Sequence, residues 1–412
     1  MARVQRRRLE DDYTGDRISM LPDEILVSIL SRLLIRLQVA KPPTNLVEFR
    51  LSFNVSSTFA SWIDDWLSYA VSRRVERLDL IFVTYLEEIY SFPYKEGNFP
   101  DNLKLLKKLR LHNVDVSGEA VAFMLGNCRL LEKLSLHLAG RLSFLEAVGT
   151  SPAFKCLEIS DCMSLESVVV RGSELVCIKY KGVANTINQN CRFVLVDVPL
   201  LTQLSIQSEP CLLDFMLDMF DSVLPQLGTL KIYSTSIASH GLNFVMKMIP
   251  NLKQFVVVLL GSVYCDKCSL MPWFNVVSSP CLQRFVVEAS RPEMIKTCCY
   301  CSTCHSFLTS DGDIDAFWPW VSDSIRDSYS RNKKVEFVGY RGVLNQFQMI
   351  NQFVNYGTGL DKIIVDPRSF EHSRHMPWDR IYRNHMDMED EVLARNRVRD
   401  QFKDSKINVT VL

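Results

Sequence analysis

The phrases LKKLRLHN (Leu106–Asn113), LEKLSLHL (Leu131–Leu138) and FKCLEISDC (Phe154–Cys162) follow one another down the chain and share one pattern: two bulky aliphatic residues one apart, with a third apolar residue three positions earlier. Alternation of this kind marks a short strand, because a period of two puts the aliphatic side chains on one face and the residue between them on the other. Working outward, the phrase recurs upstream in VEFRLSF (Phe49, Leu51) and VERLDLIF (Leu78, Leu80). Downstream it recurs in ELVCIKYKG (Ile178, Tyr180), LTQLSIQS (Leu204, Ile206), LGTLKIYS (Leu230, Ile232), LKQFVVVL (Phe255, Val257) and LQRFVVEA (Phe285, Val287). Weaker copies, KKVEFVGY and LDKIIVDP, come last. From Leu78 to Phe255 successive copies lie 31, 25, 23, 21, 26, 26 and 25 residues apart.

This spacing centres on the roughly 20–29 residue period of leucine-rich repeats. It predicts an α/β fold, a leucine-rich-repeat solenoid in the form of a curved parallel-strand horseshoe over about 45–370, with Leu80, Leu111, Leu136, Ile159, Ile206 and Ile232 in one inward ladder. An ordinary α/β sheet with leucine-patterned strands is the competing reading, and so regular a period disfavours it. The rest of each repeat must bring the chain back along the outside. Several of these returns read as helices: SSTFASWIDDWLSYAVS puts Phe59, Ile63, Trp66, Leu67 and Ala70 on one face, SGEAVAFMLGN runs from a Ser117 cap to Gly126, and SHGLNFVMKMIPN ends before Pro250. Cys162 falls where the repeat consensus admits Asn or Cys, a side chain able to hydrogen-bond backbone at the turn.

Lysine plus arginine and aspartate plus glutamate each count 47 in 412 residues, so no chain-wide field favours nucleic acid or an anionic membrane. The longest apolar run, Phe255–Leu260, is far short of the roughly 20 residues of a membrane span. The first residues, MARVQRRRLEDDYTGD, carry arginines without an apolar stretch after them, so 1–15 reads as a disordered basic segment and the expected location is nucleus or cytoplasm. Thirteen cysteines, an odd number scattered from Cys128 to Cys304, read as mostly reduced thiols.

Before the repeats, DRISMLPDEILVSILSRL (Asp16–Leu33) carries Leu21, Ile25, Leu26, Ile29, Leu30 and Leu33 at helical spacing, with Pro22 suited to the first helical position and Asp23 and Glu24 to the positive helix end. An amphipathic helix here reads as the solenoid's N-terminal cap or as a docking helix for a partner's groove. Followed by leucine-rich repeats, this phrase resembles the plant F-box/leucine-rich-repeat proteins. VEFVGYRG (335–342), LDKIIVDPRS (360–369), PWDRIY (377–382) and EDEVLARN (389–396) resemble the FBD-like C-terminal part of the same group. The resemblance implies an F-box that docks on a Skp-type adaptor of a cullin–RING ubiquitin ligase, with Leu21, Pro22, Ile25, Leu26, Ile29 and Leu30 facing the adaptor or building the F-box core, and repeats that present a protein substrate. The family F-box has about three helices. Here Leu33 is followed at once by LIRLQVAKPPTNLVEFRLSF, so 16–36 holds a truncated F-box and adaptor binding is expected to be weak or lost.

Cys265-x2-Cys268 and Cys301-x2-Cys304 are two CxxC knuckles about 32 residues apart, with a repeat strand between them. Zinc modules usually separate such knuckles by roughly 15–20 residues. The preferred reading is therefore unpaired thiols in a cysteine-rich loop insertion at about 261–330, with no metal and no cofactor. Cys301-Ser-Thr-Cys304-His305 also fits the c-type haem attachment pattern, which needs an export route that nothing here supplies. Signatures of phosphate loops, dinucleotide folds, zincins and hydrolase elbows are absent, so an enzyme is not expected.

The residues between and beside the inward aliphatics are the candidate substrate contacts: Arg77, Asp79, Lys108, Arg110, His112, Lys133, His137, Lys231 and Tyr233, with Glu158, Gln203, Gln207, Arg284 and Glu288 in the same rows. All are expected to be exposed. The early copies are basic enough to read an acidic or phosphorylated peptide, and the plainer reading is a solvated face of mixed charge. Within 371–412, WDRIYRNHMDMEDEVLARNRVRDQFKDS is expected to form a capping helix that covers the last strand with Trp378, Ile381, Val392 and Leu393, and to pair Glu391 with Arg395. KINVTVL is either a final strand or an unpaired tail. The function that the resemblance implies is a non-catalytic substrate-recognition subunit of a Skp–cullin–F-box ubiquitin ligase. The alternative is a stand-alone repeat scaffold, or a decoy that no longer engages the adaptor.

Overall fold

Each of the twelve quoted phrases supplies one strand, and the tail KINVTVL supplies a thirteenth. The computed structural model describes residues 25, 46–53, 59–82, 89–93, 101–182, 191–207, 217–234, 249–259, 281–289, 333–340, 350, 360–367, 386–403 and 408–412. The strands of the main sheet are β1 (Glu48–Phe53), β2 (Arg77–Phe82), β3 (Lys108–His112), β4 (Lys133–His137), β6 (Cys156–Ser160), β8 (Cys177–Lys181), β10 (Gln203–Gln207), β11 (Thr229–Ser234), β12 (Gln254–Leu259), β13 (Arg284–Ala289), β14 (Lys333–Val338), β15 (Leu360–Asp366) and β16 (Val409–Val411). They lie side by side in that order, every neighbour parallel.

The inward ladder is continuous. Leu51, Leu80, Leu111, Leu136, Ile159, Tyr180, Ile206, Ile232 and Val257 are successive register partners, all buried in one core. Phe255 and Phe285 extend the neighbouring row with parallel rings 5.7 Å apart. Two of the predicted helical returns are present. Helix α1 (Ala60–Ser72) buries Ile63, Trp66, Leu67 and Ala70. Helix α2 (Gly118–Asn127) starts where the Ser117 hydroxyl accepts the Ala120 amide at 3.2 Å. The third, SHGLNFVMKMIPN, lies outside the described residues apart from Ile249–Asn251, as do the cysteine knuckles and every quoted adaptor-facing residue except Ile25.

The next three returns are strands. Here β5 (Phe144–Val148), β7 (Ser167–Arg171) and β9 (Arg192–Val196) form a second parallel sheet. Leu145, Ala147, Val168, Val170, Phe193 and Leu195 alternate into the common core, so in these repeats the core lies between two sheets. With β4, β6, β8 and β10 only 21–26 residues apart there is little room for a helix, and the β-branched run of SVVVR suits an extended return. Helix α2 abuts the first of these strands so closely that a Cβ on Gly118 would sit 2.5 Å from the Phe144 carbonyl oxygen.

Strands β3, β4 and β6 are each followed by a residue in the left-handed region: Asn113, Leu138 and Asp161, with φ of 55°, 54° and 54°. Their amides donate to the carbonyls of His137, Ser160 and Lys181 on the next strand, at 2.8, 2.9 and 3.0 Å. Asparagine and aspartate tolerate that conformation, whereas leucine is strained in it by about 1–2 kcal/mol. Leu138→Asn is therefore expected to stabilise the protein by about 1 kcal/mol, read as a higher urea midpoint. An unchanged or lower midpoint would contradict this reading.

The far end differs from expectation. Helix α3 (Met386–Gln401) packs on the last strands through Ala394, Val398 and, just beyond it, Phe402, while Val392 and Leu393 are each 53% exposed. A stripe at 394, 398 and 402 follows the helical period, which leaves Val392 and Leu393 about 100° or more round the helix. The Tyr340 hydroxyl donates to Gln401 at 2.6 Å and Arg395 Nε donates to the Leu412 carbonyl at 3.0 Å, tying α3 to β14 and to the chain's end. Trp378, Ile381 and the Glu391 side chain lie outside the described residues. No helix among the described residues is long and apolar enough to cross a membrane.

Candidate functional site

Opposite the core, the main sheet presents three rows of side chains in register. The middle row reads Arg50, Asp79, Arg110, Ser135, Glu158, Lys179, Ser205, Lys231 from β1 to β11. Parallel neighbours about 4.8 Å apart press such side chains against one another, so this face is less exposed than alternation alone implies. His112, Glu158 and Glu288, expected in solvent, are buried at 8%, 8% and 6% exposure, and Ser135 and Ser205 are buried beside them.

Opposite charges pair across strands. Lys133 Nζ lies 2.7 Å from Glu158 Oε2, which also accepts the Ser135 hydroxyl at 3.0 Å. Lys181 meets Asp161 at 2.9 Å, and Arg77 meets Glu48 at 3.5 Å. Arg50 meets Asp79 and Lys231 meets Glu288, both at 4.0 Å, and the Lys231 ammonium also lies 4.8 Å from the Tyr233 ring centre. Burial raises the Glu158 carboxyl, but the Lys133 charge and hydrogen bond, with Lys179 and His137, outweigh it and hold the group at about 2. Asp79 goes the other way, raised by burial against the pull of Arg50 and Arg110.

On β3 to β11 this face carries a hollow of about 210 Å³, lined by Arg110, His112, His137, Glu158, Asp161, Lys179, Lys181, Gln207 and Tyr233. The rings of His112 and His137 lie side by side, 5.7 Å apart. Burial, followed by the nearby Arg110, lowers the His112 imidazole against the opposing charge of Asp161, so it is neutral at pH 7. Its Nδ1 is buried without a hydrogen-bond partner. A buried polar atom left without a partner costs about 1–3 kcal/mol of desolvation. Among the described residues no group of three or more histidine, cysteine or acidic side chains is placed to hold a metal.

The structure brings Arg110, His112, His137 and Tyr233 together at this hollow. Arg77, Lys108 and Lys133 stand on the row where the strands begin, and Asp79 lies outside the hollow on β2. Lys179, Lys181, Ser160 and Asp161 were not foreseen. The same register rule applied to CIKYK would have found both lysines. Cys162 does what its consensus position predicts: its thiol donates toward the Ser160 and Leu136 carbonyls at 3.5 and 3.9 Å. Ile25 is helical and 47% exposed.

Residues 99–307 match the At1g61320/AtMIF1 LRR domain family. The chain is 27% identical over 252 residues to the F-box/LRR-repeat protein At3g03360 of Arabidopsis thaliana, an overlap that covers 46% of this chain and 51% of that protein. It is 22% identical over 302 residues to the putative FBD-associated F-box protein At1g61330 of the same plant, covering 68% of this chain and 62% of the relative. It thus spans between half and two thirds of the curated relatives it matches. The resemblance to plant F-box/leucine-rich-repeat proteins read from the N-terminal helix and the repeats agrees with these matches. With half its length under that match and one parallel sheet of thirteen strands built from its repeats, the chain belongs to the At1g61320/AtMIF1 leucine-rich-repeat domain family.

Proposed function

We propose that the chain is a non-catalytic substrate-recognition subunit of a Skp–cullin–F-box ubiquitin ligase, working in the nucleus or cytoplasm. Its open sheet face would hold a protein target, and Leu21, Pro22, Ile25, Leu26, Ile29 and Leu30 would meet a Skp-type adaptor. The observation that carries this reading is the partly desolvated hollow on β3 to β11, with its two neighbouring imidazoles and charged walls, on a chain whose relatives are named F-box proteins. A long face of this kind suits an extended protein surface better than a small substrate.

One observation favours a second reading, a stand-alone scaffold or decoy. Strand β1 begins at Glu48, so only residues 34–47 separate Leu33 from the repeats, against the roughly 20 or more that two further helices would take. Titration with a purified Skp-type adaptor separates the two. For the ligase subunit we expect binding no tighter than micromolar, lost when residues 1–40 are removed and lost again in Leu26→Asp. No difference between the full and shortened chains would leave the scaffold reading standing.

A further inference from the structure

Cys156 opens β6, Cys177 opens β8, and the two are register partners on adjacent parallel strands. Such strands lie about 4.8 Å apart, inside the roughly 4.4–6.8 Å between Cα atoms that a disulfide spans. Both thiols are free and partly exposed, unlike those of Cys128, Cys162 and Cys191, which are buried. On the far side of Cys156 its register partner on β4 is Lys133.

We propose that Cys156 and Cys177 form a reactive dithiol, at which a low-molecular-weight disulfide modifies Cys156 and Cys177 resolves the adduct into a Cys156–Cys177 disulfide. The surroundings assign the two roles. The hydrogen bond from Cys177, with the charges of Lys133 and Lys179, lowers the Cys156 thiol against the effects of burial and of the Glu158 carboxylate. The same hydrogen bond and burial raise Cys177, which keeps its proton and donates. Burial holds the Cys162 thiol up at about 11, out of the competition.

In the first step the Cys156 thiolate attacks one sulfur of the disulfide RSSR, the S–S bond breaks and one RS⁻ leaves. In the second, Cys177 gives up its proton and its thiolate attacks Cys156 Sγ, expelling the other RS⁻. Two protein thiols are oxidised, one RSSR is reduced to two RSH, and the protons lost by the cysteines end on the leaving thiolates. The product joins two neighbouring repeats beside the Lys133–Glu158 pair.

The test takes the full chain, reduced and desalted, and treats it with excess oxidised glutathione. Remaining thiols are alkylated, and the peptides are mapped by mass spectrometry. The expected product is Cys156 linked to Cys177 with Cys162 still a thiol, and in Cys177→Ser a glutathione adduct that stays on Cys156. The proposal fails if Cys156 remains free after the exposed Cys281 has reacted. It also fails if the wild-type chain keeps the adduct on Cys156 while Cys177 stays a thiol. The wild-type mapping needs no substitution, so a variant that misfolds leaves the test intact.

Discussion

Leu111→Ala is expected to destabilise the protein by about 2–5 kcal/mol, the largest effect of any single substitution discussed. Leu111 is 0% exposed in the inward ladder, between Leu80 on β2 and Leu136 on β4. Its own burial is worth about 1.5–3 kcal/mol, and the void left behind adds to the loss because both neighbours are fixed by strand register and cannot close over it. Urea unfolding of the purified chain reads the difference. A shift within error of zero would mean that Leu111 does not hold the repeats together.

The second large effect is acid-sensitive. The Glu158 carboxyl is held at about 2 against an ordinary 4.5. A carboxyl lowered by folding adds stability that is fully present above its unfolded value and is lost as the pH falls through the folded one, here between about 4.5 and 2. The gap corresponds to about 3 kcal/mol. Glu158→Gln should remove this component, so that the stability difference between wild type and variant is greatest near neutrality and closes toward pH 2. Parallel pH profiles would contradict it. Lys133→Ala, which strands the carboxylate with only Lys179 and His137 to balance it, is expected to cost about 2 kcal/mol at pH 7, and adding Glu158→Gln should recover part of that.

How far the sequence alone reached depended on whether one chain segment or several decided the outcome. A strand of L-x-L carries its own evidence, and all twelve phrases became strands, down to the one-residue register of Leu109 with Leu134. The Ser117 cap was equally local. The back sheet was not legible, because FLEAV and RFVLV give only short alternations and their partners are set by neighbouring repeats rather than by their own residues. Burial on the open face was missed for a similar reason. Whether His112 sees water depends on Arg110, His137 and Asp161, three groups contributed by three successive repeats. The face of α3 was misjudged because Val392 and Leu393 form the one adjacent pair of large apolar residues in that stretch, while burial falls on the helical stripe of Ala394 and Val398.

The back sheet also bears on geometry. A stack of repeats bends when its outer layer needs more width per unit than its inner layer, and helices set about 8–10 Å apart behind strands about 4.8 Å apart impose such a mismatch. Helices such as α1 and α2 behind the strands supply such a wedge. From β5 to β9 the outer layer has the same strand-to-strand pitch as the inner one, and the wedge angle falls toward zero. That source of bending is therefore absent behind β6 and β8, which carry the middle of the hollow, and a partner seated there would meet a flatter floor than a helix-backed stretch offers.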